Sequence, residues 1–131
     1  MAGTFEQHIS VTEKDLDDLK HVNNVVYLQW IQDVSKAHWV QLATPNIRER
    51  FAWVVLRHEI DYHRSAKMND HITLRTWVGE THGFRSVRHV DIVNEKLEKI
   101  VSSQTTWCLI DSASFKPTRI PDEILACLLP G

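Results

Sequence analysis

Between Asn24 and Leu42 the chain carries an apolar surface too wide for a helix that rests on the outside of a domain. Tyr27, Ile31, Val34, His38 and Leu42 recur close to the helical period. Val26, Trp30 and Ala37 broaden that face. A surface helix needs one apolar stripe, whereas a helix apolar over much of its circumference has to be enclosed by other structure. Asn23 or Asn24 suits the N-cap, and Thr44-Pro45 stops the pattern. The rest of the chain must therefore supply a wrapping layer.

Four later segments have the composition for it. Trp53–Tyr62 alternates Val54, Leu56, His58, Ile60 and Tyr62 against Val55, Arg57, Glu59 and Asp61. His71–Glu80 sets Ile72, Leu74, Thr76 and Val78 against Thr73, Arg75 and Trp77. Phe84–Val93 and Ile100–Asp111 continue the series, and Phe5–Val11 offers one more strand. Ala66–Asp70, Thr81–Gly83 and Asn94–Glu98 read as turns. Such short connections imply antiparallel neighbours. The expected fold class is α+β, a curling antiparallel sheet around one long helix. With 131 residues the chain has room for one domain, 1–131, and for a core that needs no staples.

Composition removes several function classes. The formal charge of −2 argues against a general nucleic-acid surface. The four glycines, Gly3, Gly79, Gly83 and Gly131, exclude GxGxxG, a P-loop and a GxSxG elbow. The two cysteines, Cys108 and Cys127, make no disulfide framework, and Cys108 reads as a buried structural thiol in a strand. His58 and His63, like His82 and His89, stand at odd spacings that turn strand side chains to opposite faces, so no metal is expected. Met1–Ser10 lacks the apolar run of a secretory signal, and no uncharged stretch approaches a membrane span. The expectation is a reduced, cytoplasmic protein with no membrane partner.

Asp15-Leu16-Asp17-Asp18-Leu19-Lys20-His21-Val22-Asn23-Asn24 sits immediately before the enclosed helix. Helix capping explains one or two of these residues. It leaves His21 and the paired asparagines unaccounted for. A helix N-terminus also polarises a carbonyl, and an aspartate beside it can activate water or attack carbon. On residue chemistry alone both a capping loop and a catalytic loop stay open.

The run Asp15-Leu16-Asp17-x-x-x-His21-Val22-Asn23-Asn24-Val25-x-Tyr27-Leu28-x-Trp30 resembles the signature of hot-dog-fold thioesterases. It is similar to the 4-hydroxybenzoyl-CoA thioesterase-like enzymes and to the acyl-ACP thioesterases, which share His-Val-Asn-Asn-Val. Ile60-Asp61-Tyr62-x-Arg64-x-Ala66-x-x-x-Asp70, Ile72-Thr73-Leu74, Ile110-Asp111 and Lys116-Pro117-x-x-Ile120-Pro121 extend the likeness over nearly the whole chain.

The resemblance implies a curved sheet wrapped around one helix and hydrolysis of a thioester, with no metal or organic cofactor. By position, Asp17 matches the catalytic aspartate, as general base or nucleophile. His21 matches a histidine that positions the reacting groups. Asn24 stands where a backbone N–H faces the thioester oxygen. Tyr27, Arg85, Ser86 and Arg88 are the implied substrate-binding residues, the two arginines for CoA phosphates. Strand alternation already sends Arg85 and Arg88 to opposite faces. Two departures matter. Lys20 stands where many relatives carry Gly, and Leu19 stands where the acyl-ACP branch carries a catalytic Asn. Acyl-CoA is therefore the favoured substrate over acyl carrier protein. The competing readings are an acyl-ACP thioesterase, a non-catalytic acyl-CoA-binding protein and a hot-dog dehydratase. A homodimer or homotetramer is expected, because an open curled sheet leaves edge strands unpaired.

Overall fold

The helical pattern becomes α1, Asn24–Leu42, and its apolar face lies against one antiparallel sheet. The structure is a computed structural model and describes residues 3–129. The domain limits expected at residues 1 and 131 lie outside that range. The strands are β1 (Thr4–Ser10), β2 (Phe51–Tyr62), β3 (His71–His82), β4 (Arg85–Asn94) and β5 (Lys99–Asp111). They are ordered β1-β3-β4-β5-β2, and every pair is antiparallel. No described helix is long and apolar enough to cross a membrane.

α1 starts where its cap residues require. Asn23 is extended, and its Oδ1 accepts from the Val25 N–H at 3.2 Å. Tyr27, Trp30, Ile31, Val34, Ser35 and His38 are buried along its length. They meet Ile72 and Leu74 of β3, Val90 and Ile92 of β4 and Val101 of β5. Each fully buried aliphatic side chain there contributes roughly 1.5–3 kcal/mol. A second cluster, around Ile47, Leu109, Ile120 and Ile124, fills the far end of the fold.

Two short helices had no sequence expectation. Thr44-Pro45, read as the stop of α1, also begins α2 (Pro45–Arg50). Thr44 Oγ1 accepts from the Ile47 N–H at 3.2 Å, and Pro45 occupies the first turn. α3 (Asp122–Leu128) follows Pro121 and buries Ile124 and Leu128. Strand β2 departs from simple alternation. Its register against β5 shifts between Val55 and Arg57. The bulge leaves Leu56 48 % exposed and Val54 40 % exposed, although alternation groups both with Ile60. Beyond it, Ile60 again packs on the core.

One polar contact fixes the start of α1 to the sheet. The Tyr27 hydroxyl accepts from the Ala66 N–H at 2.9 Å, and the Val22 N–H donates to the Ala66 carbonyl at 3.0 Å. Tyr27 is 2 % exposed and Ala66 is fully buried. Burial pushes the Tyr27 hydroxyl pKa upward, so it stays neutral. Tyr27→Phe strands the buried Ala66 N–H. Urea unfolding should show a loss of about 1–3 kcal/mol; an unchanged midpoint and slope would show that the contact carries no stability.

Candidate active site

The loop before α1 is a tight turn closed by its own backbone. Leu16 and Val22 form a bridge. Inside it the Asp17 N–H donates to the His21 carbonyl at 2.7 Å, and the Lys20 N–H donates to the Asp17 carbonyl at 3.0 Å. Asp17 Oδ1 accepts from the N–H groups of Leu19 at 2.9 Å and His21 at 3.1 Å. Its Oδ2 accepts no hydrogen bond among the described residues. One oxygen of this exposed carboxylate therefore holds the turn, and the other faces outward.

Closing the turn places Lys20 at φ +63°. That is the left-handed region, which costs a residue with a Cβ roughly 1–2 kcal/mol. The sequence departure at this position thus leaves the backbone in a conformation that glycine adopts freely.

The neighbouring acids do different work. Asp15 is buried; its Oδ2 accepts from the Thr12 N–H at 2.9 Å and the Thr12 hydroxyl at 3.2 Å. Its carbonyl accepts from the Asn23 N–H at 2.9 Å, linking the turn to the helix cap. Asp15 is a structural cap, and Asp18 is exposed. At the helix start, Asn23 satisfies the N–H groups of Val25 and Val26. The Asn24 N–H has no acceptor among the described residues. Asp17, His21 and Asn24 are thus brought onto one turn and the first residue of α1. His21 is half-buried and bridges to Lys67.

The four expected substrate contacts fall in different places. Tyr27 is the buried anchor described above. Arg85 is exposed, with its guanidinium 5.4 Å over the Phe84 ring. Ser86 is buried and shares a 2.8 Å hydrogen bond with the Thr81 hydroxyl. Arg88 turns inward, as alternation requires, and is only 6 % exposed. Its Nη1 donates to His38 Nδ1 at 2.7 Å and to the Thr76 hydroxyl at 3.1 Å. Burial, reinforced by the Arg88 charge, lowers the His38 pKa to about 4, so the ring is a neutral acceptor. Burial lowers the Arg88 pKa to about 10, which leaves it charged at neutral pH. The sequence reading had His38 only as part of the helix face; nothing in it marked a partner for Arg88.

The family model for the acyl-ACP thioesterase N-terminal domain matches residues 3–128. The chain belongs to that family. It is a hot-dog thioesterase. No curated protein matches it in sequence. Among solved structures, it is similar to Slr0204, a 1,4-dihydroxy-2-naphthoyl-CoA thioesterase from Synechocystis. That likeness has 19% identity, 96% coverage of each chain and a TM-score of 0.83. It is similar to YbaW, a probable thioesterase from Escherichia coli, at 20% identity, 95% and 98% coverage and a TM-score of 0.86. The Staphylococcus aureus protein SAV2348, solved in complex with CoA, matches at 14% identity, 95% and 80% coverage and a TM-score of 0.85.

The strain at Lys20 gives this thioesterase a measurable signature. Lys20→Gly removes the Cβ penalty but adds chain entropy to the unfolded state. The net gain should be about 0.5–1 kcal/mol in thermal or urea unfolding. A loss of stability would mean that the lysine side chain holds the turn.

Proposed function

We propose that this thioesterase hydrolyses acyl-CoA thioesters, with Asp17 as general base. The observation that carries this reading is the division of the Asp17 carboxylate. Oδ1 is fixed by two backbone N–H groups while Oδ2 stays open, on the turn that leads to the acceptor-free Asn24 N–H. Asp17 Oδ2 takes a proton from water as the water oxygen bonds to the thioester carbon. The carbonyl oxygen gains negative charge and accepts from the Asn24 N–H at the positive end of α1. The C–S bond then breaks, the thiolate takes up a proton, and a carboxylic acid and CoA leave. His21 orients the reacting groups beside Asp17. The chemistry assigns no role to a metal.

Two features favour CoA over a carrier protein. Leu19, in place of a polar side chain, is 76 % exposed and offers only its backbone N–H, already given to Asp17. The CoA-bound SAV2348 and the naphthoyl-CoA thioesterase share this fold. Arg85 is exposed and available to a phosphate, whereas Arg88 is turned inward. Acyl-ACP hydrolysis is the second reading, favoured by the family model itself.

Asp17→Asn keeps an oxygen for the Leu19 and His21 N–H groups but removes the base. With EDTA-treated protein and a panel of acyl-CoAs, kcat should fall by about 10²-fold or more, with little change in unfolding midpoint. Asp15→Asn should do the reverse, lowering stability more than turnover. Near-normal kcat in Asp17→Asn would remove Asp17 from the chemistry.

The same reading includes a homodimer. β2 is a twelve-residue edge strand that among the described residues pairs only with β5, and it exposes Val54 and Leu56. Pairing with a second copy covers that edge. The exposed Asp17 turn then gains a neighbour that excludes water. Light scattering at micromolar concentration should give about twice or four times the single-chain mass. A fully active single chain would refute the shared site.

A further inference from the structure

Under the C-terminal half of α1 the helices and the sheet line a half-open pocket of about 350 Å³. That is the size of a small-molecule site. Trp39, Trp53 and Trp107 and the ring of Phe51 line it. None of Asp17, His21 and Asn24 does. Roughly 16 Å of helix separates Asn24 from Ser35 on the cavity wall.

The charged groups of this cavity share one sign. Arg88, Lys36 and Arg48 line it, and no aspartate or glutamate does, in a chain whose formal charge is −2. Arg88 is the buried one. Among the described residues it has no carboxylate partner. Nη1 is used on the neutral His38 and on Thr76, while Nε and Nη2 donate to no acceptor among the described residues. The Trp107 Nε1–H is itself buried without an acceptor, the one such side-chain atom among the described residues. A buried cation with no counter-charge is costly to the fold, and a guanidinium fork is matched by a planar carboxylate. Four aromatic rings around it are matched by hydrocarbon.

We propose that this cavity binds a carboxylate joined to an apolar body, the carboxylate pairing with Arg88 and the hydrocarbon lying among the tryptophans. The ligand is either a free fatty or aromatic acid or the far end of an acyl thioester that carries a second carboxylate. The inference does not rest on hydrolysis, because binding is read without turnover.

Three of the five tryptophans line the cavity, so their fluorescence reports its occupancy. Octanoate should change it saturably, and the neutral ester methyl octanoate should bind at least tenfold more weakly. Arg88→Met should weaken octanoate about 10- to 100-fold and leave the ester little changed. Equal affinity for acid and ester in the unaltered protein overturns the proposal, as does full octanoate affinity in Arg88→Met. Inorganic phosphate competing as well as octanoate overturns it too. Should Arg88→Met fail to fold, the acid-against-ester comparison decides alone. Competition on the Asp17→Asn protein, where thioesters persist, separates the two sources. Displacement of octanoate by octanedioyl-CoA but not octanoyl-CoA assigns the site to the far end of a substrate. Displacement by neither assigns it to a free acid. Equal displacement by both overturns the carboxylate requirement.

Discussion

Everything in this molecule is arranged around the burial of α1. Ile31 and Val34 have no exposed surface, and the residues they meet come from three different strands. A five-stranded sheet that curls far enough to cover such a helix covers its flanks and leaves its two ends as the places where other groups gather. The N-terminal end is pinned by Asn23 and by the contacts of Tyr27 and Val22 with Ala66. With that end fixed, the direction of its first free N–H is fixed as well. The Asp17 turn inherits its geometry from the core.

The two ends of α1 then differ in electrostatics. At the N-terminus an exposed carboxylate, Asp17, sits beside the positive end of the helix, and both are open to water. Toward the C-terminus a buried cation, Arg88, meets a histidine held neutral by burial and by that same charge. If His38 were protonated, two cations would face each other at 2.7 Å in a medium of low dielectric constant. The neutral ring is what makes the buried arginine tolerable, and it satisfies only one of the guanidinium nitrogens.

Most of this frame was legible in the sequence, for identifiable reasons. α1 has the span read for it, because period and cap agree over nineteen residues. The strands lie where alternation put them, within about two residues at either end. α2 and α3 were missed because six or seven residues show too little periodicity, and Thr44-Pro45 reads equally well as an end or a beginning. Val54 and Leu56 were grouped with Ile60 because alternation cannot reveal the bulge that separates them. The burial of Arg88 was half legible. Alternation gave its face, but only the tertiary fold shows that α1 covers that face. The Asp17 turn was found through its motif; the openness of Oδ2 and of the Asn24 N–H needed coordinates.

Three aspartates within four positions show why residue type alone does not define a site. Asp15 is buried and gives a side-chain oxygen to Thr12, so its carboxylate is committed to folding. Asp18 projects outward from the turn and makes no side-chain hydrogen bond among the described residues. Asp17 alone is both held and open. Two amides fix one of its oxygens, which removes rotational freedom from the other without occupying it. A general base needs that combination, because a freely rotating carboxylate loses the advantage of orientation and a fully bonded one has no lone pair to offer. The left-handed Lys20 is part of the same requirement. Without a positive φ at that position the chain would not reverse within the turn, and the His21 N–H would not reach Asp17. Backbone strain at an exposed lysine is thus tied to the geometry of the proposed base.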